Sequence, residues 1–440
     1  MVLTNAPTPL SILSTREVTP SLPRMLEVPR GIALSADARH EVMLNALNQN
    51  SKSNVLPSPN RVLPAILPQQ GYAESVFVLD GEHLAKRCSG LRSDFSNQIL
   101  EAGGRIILLY KDRKNIPDME KLFPGQSPDL IRERVRIDCN GVSRHAWTRD
   151  YLGPVLHKGS QFVMADAGYK EELYDKAEST LRNKLGISAL DVNLTLEWGN
   201  VVPIGNDAII INEGIFESNS SQTRQNIIGE LKKLGRERII VLPDSKQFFH
   251  ADLTVNVVNN IGIIPEVTAD TAKYFATRSE NEGKIVTATQ KYLDDCADII
   301  GKQGFKTLRV PLYPSELVRY GSIFRFEASP GCLEPNPPRG TISPSNALHV
   351  RDANGKLTVL VPYPEYQDLE KSYGAVGVEK FVAQSKSFKA VIEKVYRQAG
   401  AQNVIFTGYD IFNLNGLNHC RTAELPLKAA SQWFSSLPTF

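Results

Sequence analysis

Long apolar runs are missing from this sequence. None of its 440 residues falls in a stretch that reaches the roughly 20 apolar residues of a membrane span, so a transmembrane protein is not expected. A basic face is missing too. Fifty Lys and Arg against 48 Asp and Glu leave a formal charge of +2, and the cations are scattered, which argues against a nucleic-acid partner. Cysteine is scarce: Cys88, Cys139, Cys296, Cys332 and Cys420 are odd in number, far apart, and outside any CxxC or Cys/His cluster. That pattern excludes a disulfide framework and a zinc site, and it suits a reducing compartment. The N-terminus lacks the charged-then-apolar order of a secretory signal. The default expectation is a cytoplasmic enzyme, whose 42% apolar residues suffice for a sizeable core.

Residues 1–70 are rich in Pro, Ser, Thr and Asn and carry no sustained apolar period. They read as an irregular extension on the surface; an unstructured polar head would also suit export without a cleaved signal. From residue 71 to residue 440 the chain repeats one plan. An amphipathic helix ends on a glycine, and a short apolar strand follows. Gly103, Gly186, Gly235, Gly304 and Gly400 are the five stops, leading into strands at Arg105–Tyr110, Leu190–Leu196, Arg238–Leu242, Leu308–Leu312 and Val404–Thr407. Glycine suits the left-handed residue that closes a helix. Hairpin-like pairs lie between these units at Val155–Met164, Val201–Ile211, Thr254–Ile264 and Leu348–Val361. The unit is strand–strand–helix–strand, and five of them are best closed into a ring, because an open array would expose its end repeats. One domain over 71–440 is expected.

The chemically unusual residues recur in the loop between a helix-following strand and the next hairpin. These loops read Trp147-Thr148-Arg149-Asp150, Glu197-Trp198-Gly199-Asn200, Phe249-His250-Ala251-Asp252, Ser343-Pro344-Ser345-Asn346 and Asn418-His419-Cys420-Arg421-Thr422. Each alone has a bland explanation: a buried cysteine, a capping histidine, a turn aspartate, an edge glutamate. In a ring, equivalent loops gather at one mouth, so together they predict a site.

The motifs resemble those of the guanidino-group-modifying family of five-bladed ββαβ propellers, the penteins, which includes arginine, agmatine and protein-arginine deiminases and amidinotransferases. Trp-x-Arg-Asp with Gly153-Pro154, His-x-Asp at His250 and Asp252, and His-Cys-x-Thr at His419 to Thr422 carry the likeness. Phe249 stands where the family's usual residue is glycine. The resemblance implies an α/β fold, a pseudo-fivefold ring, and hydrolytic deimination of a guanidinium with no metal or organic cofactor. Asp150 and Asp252 would clamp the cation, Cys420 would attack its carbon, and His250 would serve as general acid and base. Glu197, Asn200, Asn346 and Trp147 would line the substrate, with packing open as an alternative for Trp147 and Trp198 and structural support for Glu197. His419 is expected to point away from the site, as a neighbour of Cys420 in an extended chain, and so to be a poor base. Gly199-Asn200 leans the substrate towards peptidyl arginine over agmatine or free arginine. An amidinotransferase and a non-catalytic binding ring are the rival functions. Oligomeric state is not legible.

Overall fold

The computed structural model describes residues 72, 74–81, 93–139, 148–168, 172–245, 248–278, 280–312, 343–363, 378–407, 419 and 422–439. All of them lie in one compact unit, Leu63–Phe440. Trp147, Cys420 and the 1–70 extension fall outside the described residues. Asp150 lies in the short helix Thr148–Tyr151, but its side chain is outside the description.

In chain order the main elements are β1 (Ser75–Asp80), α1 (Ser93–Glu101), β2 (Arg105–Leu109), β3 (Val135–Asp138), β4 (Val155–Lys158), β5 (Gln161–Gly168), α2 (Glu172–Leu185), β6 (Ser188–Thr195), β7 (Val202–Ile204), β8 (Ala208–Asn212), α3 (Arg224–Lys232) and β9 (Arg238–Leu242). There follow β10 (Asn256–Val258), β11 (Ile261–Glu266), α4 (Glu280–Lys302), β12 (Thr307–Pro311), β13 (Leu348–Arg351), β14 (Leu357–Pro362), α5 (Val378–Gln398), β15 (Asn403–Thr407), β16 (Ala423–Pro426) and α6 (Leu427–Ser436). Among the described residues these strands form five separate small sheets. Four share one pattern: a hairpin, then a helical crossover to a parallel third strand, as in β4–β5–β6, β7–β8–β9, β10–β11–β12 and β13–β14–β15. Each middle strand is covered on both faces, so it does not alternate: Ala208 to Asn212 are all fully buried.

The remaining sheet differs from the sequence expectation in two ways. Its antiparallel partner comes from the far end of the chain, where β16 pairs with β1 with Val78 opposite Ala423. A further strand, β3, adds parallel to β2 and delays the loop that carries Asp150. The five helix-closing glycines are left-handed as expected, with φ between +64° at Gly186 and +108° at Gly400.

Five apolar clusters sit between the sheets rather than within them. One packs Leu181 and Leu185 of α2 against Val76, Val78 and Ile107 of the β1 sheet. A second packs Ile227 and Leu231 of α3 against Val163 and Ala165 of the β5 sheet. Leu293 and Ile300 of α4 pack against the β8 sheet, and Ile392 and Tyr396 of α5 against the β11 sheet. In the fifth cluster Phe95 and Ile99 of α1 meet Val350 and Leu360 of the β13–β14 hairpin. Each crossover helix is therefore shared by its own sheet and one neighbour, and the last sheet is joined to the first. Among the described residues no helix is long and apolar enough to cross a membrane.

Candidate functional site

The antiparallel-then-parallel plan dictates where the chemistry can gather. The parallel third strand of each sheet ends at the same edge at which the next hairpin begins. The segments connecting β6 to β7, β9 to β10, β12 to β13 and β15 to β16 carry Glu197 and Asn200, His250 and Asp252, Asn346, and His419 respectively. Direct hydrogen bonds tie these segments to one another.

His250 is the N-terminal flank of a one-turn helix, Ala251–Thr254, with extended backbone (φ −115°, ψ 147°). Its imidazole Nε2 meets the Glu197 carboxylate across the gap between two sheets. The histidine side chain is 5% exposed and the glutamate side chain 38% exposed, so the pair lies at a boundary with solvent. The two side chains share one hydrogen bond, in which the imidazole nitrogen donates or accepts according to its tautomer.

Asp252, two residues on, is buried, and its Oδ2 accepts from His419 Nδ1 at 2.8 Å. Asn346 completes the arrangement. Its Oδ1 accepts the His419 backbone N–H at 3.1 Å, and its Nδ2 donates to the Asp252 carbonyl at 3.4 Å. Three loops from different sheets are thereby locked around the residue that immediately precedes Cys420. The expectation for His419 is corrected: it does not point away but grips a proposed clamp carboxylate. The alternation rule fails because His419 sits in a turn, where Thr422 donates back to its carbonyl at 3.2 Å, rather than in a strand. Burial first, and then the Arg149 guanidinium, hold the His419 imidazole below its ordinary value, while Asp252 pulls it upward. A neutral His419 with its proton on Nδ1 can donate to Asp252 and leave the carboxylate charged.

Asn200 and Trp198 turn inward. Trp198 is 2% exposed within the α3 cluster, so packing, not substrate stacking, accounts for it. Asn200 Oδ1 accepts the backbone N–H of Asn212 at 2.8 Å and of Ala251 at 3.3 Å, which fastens the Glu197 turn to the His250 turn. Beneath them, Asn256 Oδ1 meets His349 Nε2 at 2.7 Å, both buried, and joins the third and fourth of the hairpins. His157, by contrast, is exposed and rests on Phe162. What sequence reasoning missed is the Asp252–Asn346–His419 lock. Its only trace in the sequence is that all three lie on equivalent loops.

The sequence matches no protein-family model and no curated protein. Solved structures do resemble it. The agmatine deiminase of C. jejuni superposes with a TM-score of 0.57 at 14% identity, over 84% of this chain and 98% of its own. A cysteine-to-serine form of that protein with substrate bound gives 0.55 at 13% identity, with the same coverage of both chains. The agmatine deiminase of Enterococcus faecalis gives 0.57 at 12% identity, over 82% of this chain and 96% of its own. The likeness is one of fold: a mixed α/β architecture of small sheets, shared nearly end to end with agmatine deiminases.

Proposed function

We propose that this chain is a hydrolase that deiminates a guanidinium, built as a closed ring of five ββαβ units over residues 71–440. The observation that carries the function is the convergence of Glu197, His250, Asp252, Asn346 and His419 from four separate segments, in a fold shared with agmatine deiminases. The ring is supported by the cyclic order in which five apolar clusters join five sheets.

A guanidinium is a planar, delocalised cation, and its central carbon resists attack. Asp150 and Asp252 hold its N–H groups and fix its plane. The Cys420 thiolate adds to the carbon and forms a C–S bond. His250, held in place by Glu197, gives a proton to one terminal nitrogen; that C–N bond breaks and ammonia leaves. The remaining S-alkylthiouronium is attacked by water, whose proton passes to His250. The C–S bond then breaks, returning the thiolate and releasing a ureido product. Asn200, Asn346 and Trp147 line the substrate. Peptidyl arginine is placed first among substrates on Gly199-Asn200, giving citrulline in the product.

Incubating the full chain separately with an arginine peptide, agmatine and free arginine, and measuring ureido product and ammonia, tests the reading. Stoichiometric release of both from any of the three supports deimination. Product only when an amine acceptor is added would point to an amidinotransferase. None under any condition would leave a binding scaffold.

A further inference from the structure

The backbone on both sides of His250 is pinned. The Phe248 carbonyl accepts from Asn212 Nδ2 at 3.0 Å, and the Ala251 N–H donates to Asn200 Oδ1 at 3.3 Å. Phe248 is fully buried and stacks on Tyr292, with centroids 5.3 Å apart and planes at 15°. Between these anchors, Phe249 is only partly buried, at the margin of the α4 cluster. Neighbouring side chains of an extended chain normally diverge to opposite faces. Here they do not: the Phe249 ring lies 4.4 Å from the His250 ring, tilted by 60°. His250 is thus held at one edge by Glu197 and against one side by an aromatic ring.

We propose that Phe249 is a positioning residue for His250, its ring confining the imidazole to the orientation that reaches Glu197 and favouring the protonated ring through its π face. The role in turnover rests on the deiminase reading above; the ring contact does not. A cation within about 6 Å of an aromatic centroid is attracted to its face. Among the described residues, Glu197 on the β6–β7 segment meets this imidazole, and Asp252 follows two residues on, paired to His419, which has Arg149 in electrostatic reach.

The test compares Phe249→Leu, which keeps apolar volume but removes the ring, with Phe249→Tyr, which keeps the ring. The full chain is labelled at its seven histidines, and the His250 signal is assigned by its loss in His250→Gln. In Phe249→Leu the His250 signals should lose their ring-current displacement, and their titration midpoint should fall by roughly half a pH unit. With whichever guanidine is turned over, kcat should fall roughly two- to fivefold at nearly constant KM. Phe249→Tyr should match the wild type in both. A Leu variant with unchanged titration and kcat overturns the proposal, as does a Tyr variant that falls as far as Leu. If the wild type turns over no guanidine, the deiminase reading fails, while the titration arm still decides the role of Phe249.

Discussion

Cys420 follows a histidine whose imidazole is tied to Asp252 at 2.8 Å and whose backbone N–H is held by Asn346. If Cys420 is the nucleophile, as proposed, no other cysteine is required. Cys296 is fully buried, and burial pushes its thiol up to about 12, while burial also raises Cys139. Cys420→Ser is therefore expected to abolish ammonia release, and replacement of Cys139 or Cys296 by Ala to leave it near the wild-type rate. Wild-type-like turnover by the Cys420 variant would end the covalent mechanism. The two aspartates proposed as the clamp, Asp150 and Asp252, separate on the same grounds. Asp150→Asn should cost roughly 1.5–3 kcal/mol of substrate recognition through one lost charge-assisted contact. Asp252→Asn should cost more, and part of it in kcat, because Asp252 also holds His419, the residue before the proposed nucleophile. His419 supplies a pH test. Its folded value is depressed below the ordinary 6.5, so the unfolded chain binds more protons, and the stability this group contributes is lost as pH falls below about 6.5. The stability difference between wild type and His419→Gln, read from urea midpoints, should shift in favour of the variant from pH 7 to pH 5. An unchanged difference would mean that His419 is not held neutral.

At the scale of the element, the helix–glycine–strand unit could be read because each part has a local cause: a spacing of three to four on one helix face, a left-handed stop, and a short apolar run. Two positions separate the conformational cause from packing. A Cβ on Gly304 (φ +84°) meets nothing within 4 Å, so Gly304→Ala should cost only the backbone penalty, roughly 1–2 kcal/mol. A Cβ on Gly400 (φ +108°) would lie 2.1 Å from Asn259 Nδ2, which donates to Ala399 O at 3.1 Å. Gly400→Ala should therefore cost at least ~1 kcal/mol more, the worth of that hydrogen bond. Equal losses in chemical denaturation would show that the Asn259 contact is slack. Two strands that escaped the sequence reading, β3 and β16, have no such local signature. β3, Val-Arg-Ile-Asp, is four residues following a helix without a glycine stop, and β16, Ala-Glu-Leu-Pro, hides a buried glutamate that reads as surface. β16 is fixed by β1 near the other end of the described residues, and β3 by β2, 29 positions before it (Ile106 opposite Val135). The orientation of His419 has a related cause: it sits in a turn, to which strand alternation does not apply.

For the whole molecule, joining the chain's two ends is what completes the first sheet, and Tyr72 sits at that joint. Its N–H donates to Glu424 Oε1 at 2.8 Å, its carbonyl accepts from Ser75 Oγ at 3.0 Å, and its phenol donates to the Val155 carbonyl at 2.8 Å. Burial raises the Tyr72 phenol far above its ordinary value, so it stays a donor. One residue therefore ties β16, β1 and β4, and it is the first of the described residues. If residues 71–440 are the catalytic domain, as the repeat plan proposes, a chain beginning at Gly71 retains every one of these bonds. It should melt within a few degrees of the full chain and release ammonia at a comparable rate. A chain beginning at Glu74 removes Tyr72 and withdraws one donor from the buried Glu424 carboxylate, at a cost on the order of 1–3 kcal/mol for that contact alone. Its melting temperature should fall clearly below that of the Gly71 chain. Thermal melts followed by circular dichroism, with turnover measured beside them, distinguish the outcomes. A Gly71 chain that fails to fold or to turn over would place the extension within the enzyme, and equal melting of the two truncated chains would remove Tyr72 from the joint.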